Sequence, residues 1–128
     1  MSERSDPKKP VIRHRDAVAE LPCPYGEVRR IVTGGEGGVA NVHVVTVTQG
    51  SVHYHEAYDE VYYVLGGRGE VTIDSTQHEL RPGSVVVIPA GHPHSLLASG
   101  EDPLEFIIFG TPAMSIGDER AAPKKPTA

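Results

Sequence analysis

The chain is poor in the elements that usually hold or anchor a small protein: it has one cysteine, no tryptophan and two phenylalanines in 128 residues. With Cys23 alone no internal disulfide can form, so the fold must rest on its packed core. Long apolar runs are also missing. The stretches 84–89 and 104–109 fall far short of the roughly 20 residues that carry a helix across a bilayer, and no membrane span is expected. Basic surplus is absent too. Twelve Lys and Arg stand against seventeen Asp and Glu, a formal net charge of -5, which argues against a nucleic-acid partner and for a small metabolite. The first residues lack the apolar core of a secretory signal, so a cytoplasmic location is expected. Helical periodicity is scarce: only 16–21 suggests a single helical turn.

What is present reads as sheet. Fourteen glycines and eleven prolines punctuate segments rich in Val, Ile, Tyr and Thr, the side chains that suit a pleated surface. The expected strands are 27–33, 41–48, 51–55, 60–65, 69–74, 77–80, 84–88, 94–98 and 104–109. Their close spacing predicts an all-β barrel or sandwich. The length suits one domain, placed at 11–110. Residues 1–10 and 111–128, polar and Pro-containing, are expected to be flexible tails. The Pro-Lys-Lys-Pro stretches at 7–10 and 123–126 read as solvated tail charge.

Chemistry concentrates in two places. In Gly50-Ser-Val-His53-Tyr-His55-Glu-Ala-Tyr-Asp-Glu60 the two histidines stand two residues apart on an expected strand and therefore share a face. A turn at 57–59 would return Glu60 beside them as an oxygen donor. In Gly83-Ser-Val-Val-Val-Ile-Pro89-Ala-Gly91-His92-Pro93-His94 a strand ends at a Pro and Gly turn and His94 opens the next one, a natural fourth ligand. His92 is expected to face solvent from the loop. His14, His43 and His78 lie outside both segments and rank second.

These residues resemble the two signature motifs of the cupin superfamily: His-x-His, four residues, Glu60, six residues, Gly67; then Gly83, five residues, Pro89-x-Gly91, two residues, His94. The chain departs from the usual pattern at Val47, where the first motif has Gly, and at Ala98, where the second has Asn. The resemblance implies a small single-domain metal-binding protein with a jelly-roll barrel, the double-stranded β-helix, its metal inside and substrate entering at one open end. The metal ligands would be His53, His55, Glu60 and His94.

Such a site suits one divalent transition metal, Mn, Fe, Ni, Co or Zn, and leaves two of six positions open for a chelating, oxygenated substrate. A sugar, sugar phosphate or carboxylate fits, with isomerase, epimerase, decarboxylase or lyase chemistry. An iron-dependent dioxygenase and a non-enzymatic metal-anchored binding protein are the alternatives. Strand alternation places Tyr62 and Val64 on the face of Glu60, and Leu96 and Ala98 on that of His94, so Tyr62, Leu96 and Ala98 are the expected substrate-pocket residues. Tyr62 reads as a core aromatic with a backbone partner ahead of a catalytic group, and is named as a pocket residue only. Arg29 or Arg30 could clamp a carboxylate or phosphate. Val61, Tyr63 and Leu65 form the opposite, apolar face, which predicts a homodimer.

Overall fold

The computed structural model describes residues 10–23, 26–33, 40–48, 53–55, 59–111 and 119–121, of which 53–55 and 119–121 are described by backbone alone. Among the described residues eleven strands follow a 3-10 turn at Arg15–Ala17: β1 Glu20–Cys23, β2 Gly26–Val32, β3 Asn41–Val47, β4 His53–His55, β5 Asp59–Gly66, β6 Arg68–Ile73, β7 Thr76–Leu80, β8 Val85–Ile88, β9 His94–Ser99, β10 Leu104–Thr111 and β11 Glu119–Ala121. They form a six-stranded sheet in the order β1-β2-β3-β10-β5-β8 and a five-stranded sheet in the order β11-β4-β9-β6-β7. All pairings are antiparallel.

Alternation along the strands decides what lies between the sheets. In β5 the even positions Glu60, Tyr62 and Val64 are buried while Tyr63 and Leu65 are exposed. In β10 Leu104, Phe106 and Ile108 turn inward by the same period. Val71 and Leu96 meet them from the five-stranded sheet, in one core that also holds Val28, Val45, Val47, Leu80 and Ile88. The rings of Tyr62 and Phe106 pack with centroids 4.7 Å apart. Burying a side chain of that size contributes about 2–3 kcal/mol, so this pair is a large share of what a core short of aromatics has.

Each expected strand between 27 and 109 is present among the described residues, with ends that agree to within two residues; 51 and 52 of the expected strand 51–55 lie outside them. Two strands were not expected from the sequence. β1 occupies 20–23, so the helical turn expected over 16–21 is shortened to a 3-10 turn at Arg15–Ala17. Leu21 opposes Val28 across β2, and pairing with a neighbouring strand wins over a weak local helical preference. β11 lies in the segment read from sequence as a tail, where its backbone pairs with β4. Apart from Pro10, the Pro-Lys-Lys-Pro stretches fall outside the described residues, as do 57 and 58 of the expected turn before Glu60. No helix among the described residues is long and apolar enough to cross a membrane.

Gly67, in the tight connection between β5 and β6, has φ +76°, and a Cβ there would sit 2.1 Å from the Pro103 carbonyl oxygen. Gly83 has φ +94° with open space around it. Both substitutions to Ala strain the backbone, but only one adds a collision. Urea denaturation is expected to show Gly67→Ala losing about 3 kcal/mol or more and Gly83→Ala about 1–2 kcal/mol; equal losses would contradict the crowding at Gly67.

Candidate functional site

β5 supplies a carboxylate where alternation would otherwise supply an apolar side chain. Glu60 is 4% exposed and Tyr62, two residues on, is fully buried. The Tyr62 hydroxyl donates to Glu60 Oε1 at 2.7 Å. A carboxylate removed from water needs donors or a cation, and this bond supplies part of that need. Across the sheet Glu60 stands in line with Ile88 on one side and with Gly110 and then Asn41 on the other.

The turn between β8 and β9 delivers the imidazole. Gly91 takes φ +89°, a conformation that suits glycine and reverses the chain just ahead of β9. Asp59, next to Glu60, accepts from the Ala90 backbone N–H through Oδ1 at 2.8 Å, tying this turn to the start of β5. On its other side the turn meets the β6–β7 hairpin. Asp74 and Ser75 have φ 49° and 73°, as a two-residue type I′ turn requires, and the Asp74 N–H donates to the Pro93 carbonyl at 3.1 Å.

His94 is thereby held at the start of β9, 2% exposed. Its Nδ1 lies 2.8 Å from the His92 carbonyl oxygen. A carbonyl can only accept, so Nδ1 carries the proton, and in the neutral ring the lone pair is on Nε2. Nε2 faces Glu60 Oε1 at 3.5 Å. A ring fixed through one nitrogen with the other aimed at a carboxylate is the arrangement that prepares histidine to bind a metal.

β4 carries His53 and His55, whose side chains lie outside the described residues. Its backbone puts His53 directly opposite His94, and facing positions in an antiparallel pair share a face. On the other edge β11 pairs with β4 at three positions, Glu119 with His55, Arg120 with Tyr54 and Ala121 with His53. Among the described residues no group of three potential ligands assembles; Glu60 and His94 are the two of the expected four whose side chains are described.

The other expected site residues separate clearly. Leu96 is buried beyond His94 and Ala98 is half-buried, packed against the core. Tyr62 is fully enclosed, and its hydroxyl meets the Glu60 carboxylate. His92, expected to face solvent, is partly exposed and pairs through Nδ1 with Asp74 Oδ2. His78 and His14 are exposed, the latter beside Asp16. His43 differs from them: it falls in line with Ile108 and Tyr62 at the alternation of the buried Val45 and Val47. Asn41, 2% exposed, and Asp59 were not singled out from the sequence. Both stand at strand starts, where pairing register rather than residue type decides whether a side chain joins the site.

A family model described as the cupin domain matches residues 40–110. An uncharacterized protein of Methanocaldococcus jannaschii is 31% identical over 88 residues, 69% of this chain and 70% of its own length. The polyketide cyclase RemF of Streptomyces resistomycificus superposes with a TM-score of 0.74 at 18% identity, over 92% of this chain and 89% of that one. A Streptomyces variant of Pac13 with uridine superposes with a TM-score of 0.73 at 18% identity, over 90% of this chain and 92% of that one; Pac13 is a nucleoside dehydratase. At 18% identity these two likenesses are of fold alone.

The tie from Asp59 to the turn before His94 is open to direct measurement. Asp59→Ala is expected to cost about 1 kcal/mol of stability and to speed hydrogen exchange at the Ala90 amide, with core amides such as that of Phe106 changed only by the global loss. An Ala90 amide that exchanges as in the wild type would show that the turn does not depend on this bond.

Proposed function

The chain belongs to the cupin domain family, and from that premise we propose that it is a metal-dependent enzyme acting on a small polar oxygenated metabolite. One divalent transition metal would be held by His53, His55, Glu60 and His94. The observation that carries this reading is the buried pair itself: a carboxylate oriented by Tyr62 and an imidazole oriented by the His92 carbonyl, facing one another at 3.5 Å. Three nitrogens and one oxygen suit Mn, Fe, Ni, Co or Zn. A bound ion would supply Lewis acidity toward a carbonyl, hydroxyl or carboxylate of the substrate.

The chain's own residues supply orientation and exclusion of water. Tyr62 holds Glu60, the turn at Ala90 and Gly91 presents His94, and Leu96, Phe106 and Ile108 form dry walls below. The chemistry proposed is that of an isomerase, epimerase, decarboxylase or lyase on a sugar, sugar phosphate or carboxylate, with an iron-dependent dioxygenase and a binding protein without turnover as the alternatives.

Metal analysis of protein purified without added ions tests the site. The wild type is expected to hold about one ion per chain, His53→Ala and Glu60→Gln to lose most of it, and Tyr62→Phe to bind it about 10–100-fold more weakly while remaining folded. Wild-type metal content in both His53→Ala and Glu60→Gln would contradict the assignment.

A second copy of the chain is proposed as the cover for the outer face of β8, β5 and β10. Val85 and Val87 at the sheet edge are 59% and 62% exposed, and Tyr63, Leu65 and Phe109 continue the patch. Sedimentation is expected to give a dimer for the wild type and a monomer for Val85→Lys/Val87→Lys, since charges on a desolvated face oppose association; a monomeric wild type would contradict this proposal.

A further inference from the structure

A cavity of about 560 Å³ opens between the N-terminal segment and β2, lined by Arg13, His14 and Arg30 with Ile12, Val18 and Ile31. Among the described residues no acidic side chain lines it. In a chain of net charge -5 its charge comes from Arg13 and Arg30, with Asp16 3.6 Å from His14 at its edge, and a concave site is where field lines concentrate.

The two arginines of β2 have different tasks. Arg29 donates through Nη1 to the carbonyls of Arg15 and Val18 at 3.2 and 2.7 Å, pinning the 3-10 turn to the sheet. Arg13 donates to the Ile31 carbonyl at 2.7 Å and fastens the other side of the cavity. Arg30 is half-buried, and its guanidinium has no hydrogen bond or ion pair among the described residues. Its strand position faces His43, and the same line continues through Ile108 to Tyr62. The line through Asn41, Gly110 and Glu60 is the next with the same facing, so the Arg30 backbone stands toward the end of the six-stranded sheet that holds Glu60. Three strand intervals separate Arg30 from Tyr62, about 14 Å of backbone. A side chain as long as arginine and a ligand the size of a sugar phosphate can bridge it.

We propose that Arg30, flanked by Arg13 and His14, forms an anion subsite that takes the carboxylate or phosphate group of the substrate. A guanidinium presents paired N–H donors that match either group bidentately. That the anion belongs to the metabolite processed beside Glu60 rests on the function proposed above; binding of the anion itself does not require the metal.

Calorimetric titration of the protein as purified, with inorganic phosphate and separately with malonate, tests the subsite. The wild type is expected to bind at least one of them, and Arg30→Gln to bind at least about tenfold more weakly. Arg81→Gln, which removes one exposed positive charge elsewhere, should match the wild type. Phosphate binding alone would mark a phosphorylated metabolite, malonate binding alone a carboxylate; either supports the subsite. Glu60→Gln, depleted of metal, should still bind the anion, which separates failure of the metal assignment from failure of this one. Should Arg30→Gln not fold, Arg30→Lys carries the same test, with a severalfold loss expected because the planar fork is gone. Wild-type affinity in the Arg30 variants, or no binding of either anion by the wild type, would overturn the proposal.

Discussion

A carboxylate enclosed in an apolar barrel is the constraint around which this molecule is arranged. Glu60 replaces what would be one more inward apolar residue of β5, and a charge in that position is tolerated only where donors or a cation meet it. Tyr62 is placed to donate because residues two apart on a strand share a face. His94 is placed to face it because the Pro89 to Gly91 turn is tied to Asp59 on one side and, through the Asp74–Pro93 bond, to the β6–β7 hairpin on the other. The apolar walls follow from the same alternation, so the inward face of β5 serves both the core and the site.

That shared alternation explains why so much of the arrangement was legible in the sequence. The period of two in 60–65 was enough to sort Tyr62 from Tyr63. The Gly and Pro turn before His94 announced where a strand would open. Legibility ended where tertiary pairing decides. Leu21 belongs to a strand because β2 is beside it, and Glu119 to Ala121 because β4 has an edge there; neither segment carries a pattern of its own. Asn41 and His43 enter the interior by register with Gly110 and Ile108, a fact with no local signature.

The arginines show the same limit from another direction. Two adjacent residues on β2 are equal candidates in the sequence, yet one binds backbone carbonyls of the N-terminal segment and the other lines a cavity. What distinguishes them is the packing of residues 12–18 across β2. Local sheet geometry thus places Glu60, Tyr62 and His94, while a non-local contact sorts the two arginines.

The most direct test of the central claim is X-ray absorption at the metal edge of protein purified without added ions. The account predicts a first shell of nitrogen and oxygen only, with the scattering of about three imidazoles, and its loss in His94→Ala. A sulfur scatterer, or protein that takes up no transition metal at all, would contradict it.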